Sequence, residues 1–141
     1  MKTAKELMHA YLDGTAQESG ALFGDHGTLE LPYLASIGIP PVNTGSTAVS
    51  AFLTFLHEQL YPGFAFKNVK ILMEEEGQVF AEYLIETKSG ISGKQIRQQF
   101  FGHLEAENGQ IKRLREAIDV VVAAEAIFPN GLTDVLANRN K

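Results

Sequence analysis

Asn108-Gly109-Gln110-Ile111-Lys112-Arg113-Leu114-Arg115-Glu116-Ala117-Ile118-Asp119 is the stretch on which the fold turns. Asn-Gly is a strong hairpin signal, because both central residues of the tight turn take positive φ. It separates two runs that alternate in polarity as strands do. The second run changes phase: Ile111 and Leu114 stand three apart, while Leu114, Glu116 and Ile118 follow at steps of two. Strict alternation from a two-residue turn pairs Glu116 with Phe101 and sends both to the outer face of a sheet. A one-residue bulge between Ile111 and Leu114 instead turns Leu114, Glu116 and Ile118 inward together. The odd apolar spacing favours the bulge.

Upstream of this hairpin, residues of about 64–75, 78–88 and 95–107 read as further long strands, and the last runs over about 110–121. Glu76-Gly77 and Ser89-Gly90 mark the other turns. The N-terminal part has a different period. Leu7, Met8, Tyr11 and Leu12 share one helical face until Asp13-Gly14, so a first helix covers about 3–13. Thr15 caps a second, over about 16–23. Thr28-Leu29-Glu30-Leu31 alternates like a short strand and Pro32 closes it. Residues 34–45, with Gly38, Pro40, Pro41, Asn43 and Gly45, predict a shaped surface loop. Ser46 is then the N-cap of a strong helix with Val49, Phe52, Leu53, Leu56 and Leu60 on one face, ending before Tyr61-Pro62-Gly63. Leu132, Val135 and Leu136 mark a last short helix after Asn130-Gly131.

Helices first and consecutive antiparallel strands afterwards predict an α+β domain in which the helices cover one face of a strongly curved sheet. The 141 residues, 45% hydrophobic, suit one domain with one core over 1–141. A net charge of −5 argues against a nucleic-acid surface and an anionic membrane. The absence of cysteine excludes disulfides and thiolate metal sites. Met1-Lys2-Thr3-Ala4-Lys5-Glu6 runs straight into an amphipathic pattern without a long apolar segment. A soluble, cytoplasmic protein is the expectation.

The order of elements, with Gly24-Asp25-His26-Gly27-Thr28-Leu29-Glu30-Leu31-Pro32 early, Gly45-Ser46-Thr47-Ala48-Val49 before the long helix and residues 108–119 late, resembles the SnoaL-like polyketide cyclase and ketosteroid isomerase superfamily. The resemblance covers nearly the whole chain. It implies the cone-shaped, nuclear-transport-factor-2-like (cystatin-like) fold and a small, largely apolar molecule in the cone. It does not carry over one relative's chemistry intact. Where ketosteroid isomerases have a general-base Asp before the proline, this chain has Leu31, and their first-helix Tyr falls near Leu7. In limonene-epoxide-hydrolase-like members the last-strand Asp aligns with Glu116, but their Arg and other Asp align with Tyr83 and Ile85 and their Asn falls near Ala35, leaving Tyr33 as the counterpart of their Tyr. For the His and late-strand Asp of the cyclases, the nearest candidates are His103 and Asp119.

Glu116 is therefore the candidate acid or base for an isomerase, cyclase or hydrolase step, since a carboxyl in an apolar pocket has a raised pKa. Its bland alternative is a solvated glutamate beside Lys112 or Arg113. The expected ligand-binding set is Tyr33, Leu56, His57, Leu60, Tyr83, Gln98, Phe100, Leu114 and Ile118. Gln98 is either a polar handle or a satisfied core amide, Tyr83 either a hydroxyl donor or a packing aromatic, and His57 either a chemical group or a boundary histidine. His9, His26, His57 and His103 have no metal-ligand spacing, so no metal and no cofactor are expected. Arg97, Gln99, Phe101, His103 and Glu105 share the outer sheet face, which serves a homodimer or faces solvent. A non-catalytic ligand-binding or association module is the alternative function.

Overall fold

The computed structural model describes residues 1–139. Helix α1 (Ala4–Asp13) and helix α2 (Ala16–Ala21) each begin with a capping box, in which Thr3 or Thr15 accepts from the backbone of Glu6 or Glu18 and the glutamate accepts in return. The amide bonds to these carboxylates hold both below the usual range. Ala4, Leu7, Met8, Tyr11 and Leu12 are the buried stripe of α1. Strand β1 (Thr28–Glu30) follows. The segment expected as loop holds two short elements, a 3-10 turn over Pro32–Ile37 and strand β2 (Val42–Thr44).

Helix α3 (Gly45–Phe55) starts after Thr44, two residues earlier than a Ser46 cap requires. It runs on into a π turn over Leu56–Leu60, where the Tyr61 amide donates to the Leu56 carbonyl at 2.8 Å. Strands β3 (Lys67–Glu75), β4 (Gln78–Lys88), β5 (Gln95–Glu107) and β6 (Gln110–Ile118) make the meander. The expected first long strand is shorter at its start, since 64–66 lie outside the ladder. The last is shorter at its end: Asp119 caps helix α4 (Val120–Ile127), its carboxylate accepting from Val121 and Val122 amides, and α5 (Leu132–Arg139) closes the described chain. The strand reading of Val120-Val121 is thereby corrected. β-Branched residues suit strands, but the Asp119 cap and the small Ala123, Ala124 and Ala126, all buried, seat this segment as a helix.

The six strands form one sheet in the order β2-β1-β6-β5-β4-β3. All neighbours are antiparallel except β1 and β6, which run parallel with Leu29 opposite Leu114. Register shifts in β3 and β6 bend the sheet around the helices, as bulges do. Its inner face, carrying Ala81, Tyr83, Leu104 and Leu114, packs on Leu7, Met8, Phe23 and Val49 in one continuous core. Among the described residues no single helix is long and apolar enough to cross a membrane.

Candidate functional site

Glu116 owes its place to one extra residue. Ala106 pairs with Ile111 but Glu105 pairs with Arg113, so Lys112 is the bulge. Beyond it Gly102 stands opposite Glu116 and Phe101 opposite Ala117. Glu116 is 2% exposed, whereas Phe101, on the other face, is 39% exposed. The Tyr83 hydroxyl donates a hydrogen bond to Glu116 Oε2. Gly102 makes this possible: a β-carbon there would collide with the Tyr83 hydroxyl.

Burial pushes the Glu116 carboxyl up to about 7, with the Tyr83 bond pulling against it. Tyr83 and Tyr11 are driven well above the usual phenol range, by burial first and by the Glu116 charge second. Two phenols, one from β4 and one from α1, thus feel the charge of one carboxyl in the cone. Tyr11 belongs to this group although the resemblance pointed to Leu7. In the sequence it is simply a member of the apolar stripe of α1, and only the packing of α1 on the sheet brings it here.

Above this group lies a small apolar cavity of about 50 Å³ between the 3-10 turn, the α3 end, β5 and α4. Leu56, Leu60, Gln98, Phe100 and Ile118 of the expected set border it, joined by Leu34, Phe52, Phe55, Tyr61 and Ile127. Such a volume holds a few water molecules, well short of the roughly 300 Å³ at which ligand pockets begin. The α4 wall, Ala123 and Ile127, comes from residues beyond the expected last strand, where the sequence pattern marks no element.

Four expected ligand residues stand elsewhere. Tyr33 follows Pro32 on the 3-10 turn with its ring outward, 56% exposed. His57, one position round the turn from Leu56, packs at a tilt against Phe64, ring centroids 4.4 Å apart at 38°; burial lowers its pKa. Leu114 is fully buried opposite Leu29, within the core. Tyr83 and Glu116 lie behind Phe100, whose ring stacks on Tyr83 at 5.5 Å, and neither borders the cavity. Gln98 touches the cavity, but its amide is engaged: its nitrogen donates to the Asp119 carbonyl and its oxygen accepts from the Asp119 amide, each at 2.9 Å. Burial pushes the neighbouring Tyr61 phenol up to about 12, with the Gln98 amide pulling against it. Gln98 is the satisfied core amide that ties the start of α4 to β5.

The cyclase-like pair does not form. Asp119 is the α4 cap, and His103 lies on the outer face against Gln78 Oε1 at 2.7 Å. Among the described residues no three His, Asp or Glu side chains are grouped to hold a metal.

The architecture is that of the nuclear-transport-factor-2-like class. It matches a phenazine biosynthesis-related protein from Pseudomonas aeruginosa (TM-score 0.75, 20% identity, 88% of this chain and 84% of that one). It also matches a nuclear-transport-factor-2-like protein from Burkholderia thailandensis (0.74, 12%, 89% and 98%). A third match, a hypothetical protein from Catenulispora acidiphila with a ketosteroid isomerase-like fold, in complex with trimethylamine, gives 0.68 and 14% over 91% and 98%. At such identities the likeness establishes the fold. No family model matches the chain, and no curated protein matches it.

Proposed function

We propose that this chain binds a small, flat, largely apolar molecule in the cavity under α4. The observation that carries the reading is the lining: Leu34, Phe52, Phe55, Leu56, Leu60 and Ile127 offer apolar surface, while Gln98 spends its amide on Asp119. A site of this kind selects by shape and apolar area, with few polar anchors. Because the cavity is small at rest, binding requires it to widen. Titration of one- and two-ring aromatic alcohols, followed by ring and methyl NMR signals, tests this. Leu56→Trp fills the space and is expected to abolish the shifts; unchanged shifts in that variant would place the ligand elsewhere.

A second reading is favoured by the Tyr83-Glu116 bond. With the carboxyl near 7, Glu116 is poised to give or take a proton at neutral pH once a ligand reaches it. An isomerase, cyclase or hydrolase-type step is the chemistry this supports, without a metal or cofactor. Loss of turnover in Glu116→Gln with ligand binding retained is its signature.

The outer sheet face adds an association proposal. Phe80 and Phe101 stack at 6.1 Å and 11° beside the exposed Met73, flanked by the Glu105-Arg113 and Glu86-Arg97 pairs. An apolar centre with a charged rim that balances its own signs suits a second copy of the same face.

A further inference from the structure

We infer that Phe66 sets the size of ligand the cone admits and decides whether that ligand reaches Glu116. The inference rests on the reading of the cone as a site for a small apolar molecule. Phe66 packs on the wall of one opening and borders a second. One is the cavity under α4, with Phe100 in its wall. The other is a surface cleft of about 180 Å³ bordered by Leu12, Asp13, His57, Phe64 and Phe66 itself. The Phe66 ring is edge-on to both Phe100, at 5.6 Å, and Tyr83, at 5.1 Å, and lies 6.4 Å from Tyr11. It therefore contacts the rings that feel the Glu116 charge, while neither Tyr83 nor Glu116 borders either opening.

A bulge aims this ring. Lys67 pairs with Leu84 and Lys70 with Glu82, so Asn68 and Val69 together oppose Tyr83, and Asn68 takes φ 55. In an unbroken strand Phe66 would share a face with Asn68 and Lys70. The extra residue puts Phe66, Val69 and Ile71 on the core side instead. Phe66 itself precedes the first ladder pair, at the end of a segment that follows Gly63 at φ 72 and has no strand partner. The half-buried ring thus hangs on a short tether beside a cleft large enough to receive it, since about 150 Å³ accommodates a benzene. Turned into that cleft, Phe66 uncovers the edge of Tyr83 and leaves room for Phe100, the ring that separates the cavity from Tyr83 and Glu116, to swing aside. The ligand class is then a one- or two-ring molecule bearing one oxygen, which Tyr83 and Glu116 can hydrogen-bond.

The test is titration of the full chain with 2-naphthol, read by tyrosine-ring NMR, in wild type, Phe66→Ala and Phe66→Leu. The leucine variant keeps the core filled if the alanine variant does not fold. Removing a ring that is closed most of the time raises apparent affinity by about tenfold. The Tyr83 signals are expected to shift on titration in both variants. Equal affinity in all three proteins with Tyr83 unmoved overturns the gate and leaves the cavity reading standing. Absence of binding to any of them overturns both.

Discussion

Gly102 sits directly across the β5-β6 ladder from Glu116, and the space its missing side chain leaves is occupied by the Tyr83 hydroxyl. Gly102→Ala drives a methyl into that oxygen. Overpacking of this kind costs about 1–3 kcal/mol, measurable as a lower urea midpoint. It also separates Tyr83 from Glu116, so the Glu116 titration moves above about 7. Adding Tyr83→Phe removes the clashing oxygen and is expected to restore part of the lost stability; an additive double mutant would refute the contact.

Glu116 also gives the fold a pH dependence of definite sign. Its carboxyl rises from 4.5 to about 7 on folding, so the folded state holds the proton more tightly. The contribution is fully present below 4.5 and is lost as pH rises through about 7, by about 3 kcal/mol. Glu116→Gln, which stays neutral, is expected to flatten this slope and to exceed wild type in stability at pH 8. Equal slopes between pH 5 and 8 in urea titrations would mean the acid is solvated.

Deleting Lys112 tests the bulge. Without it Leu114, Glu116 and Ile118 shift phase and turn to the outer face, exposing core side chains. The expected outcome is loss of cooperative unfolding by circular dichroism. Lys112→Ala, which keeps the extra residue, is expected to stay within about 0.5 kcal/mol of wild type.

Gln98→Leu cuts both bonds to the Asp119 backbone. Each buried group left without a partner costs about 1–3 kcal/mol. The loss is local to the β6-α4 junction, so amide exchange at Val121 and Val122 is expected to accelerate more than at Leu104 in mid-strand. Uniform acceleration would point to global destabilisation alone.

Phe101→Lys addresses the outer face. If that face pairs two copies, sedimentation moves from dimer to monomer while the tyrosine signals of the cone stay in place. A wild-type protein that already sediments as a monomer ends the proposal.

Much of this arrangement can be read before any coordinates exist. The three-residue step from Ile111 to Leu114 betrays the Lys112 bulge, because a strand with one buried face cannot change phase without an extra residue. Asn108-Gly109 marks its turn through positive φ at both positions, 54 and 74. What is lost is what depends on neighbours distant in the chain. Val120-Val121-Val122 has strand propensity, and its helix comes from the Asp119 cap and a small-residue face that fits against the sheet. Tyr11 looks like any apolar stripe residue until α1 meets β6. Leu56 and His57 are neighbours in sequence, yet one borders the cavity and the other packs on Phe64. Cavity volume has no linear signature, since it is the remainder after every side chain is placed.

The parallel pairing of β1 with β6 has a consequence for how the protein is made. β1 emerges from the ribosome early, yet the partner at its inner edge begins only at Gln110. Until some eighty residues more have been translated, Leu29 has no Leu114 to rest on, and β1 with β2 makes only a two-stranded ribbon, too small to persist alone. The strand that carries Glu116 is thus the keystone of the sheet, and nascent chains interrupted before it leave apolar surface open to quality control.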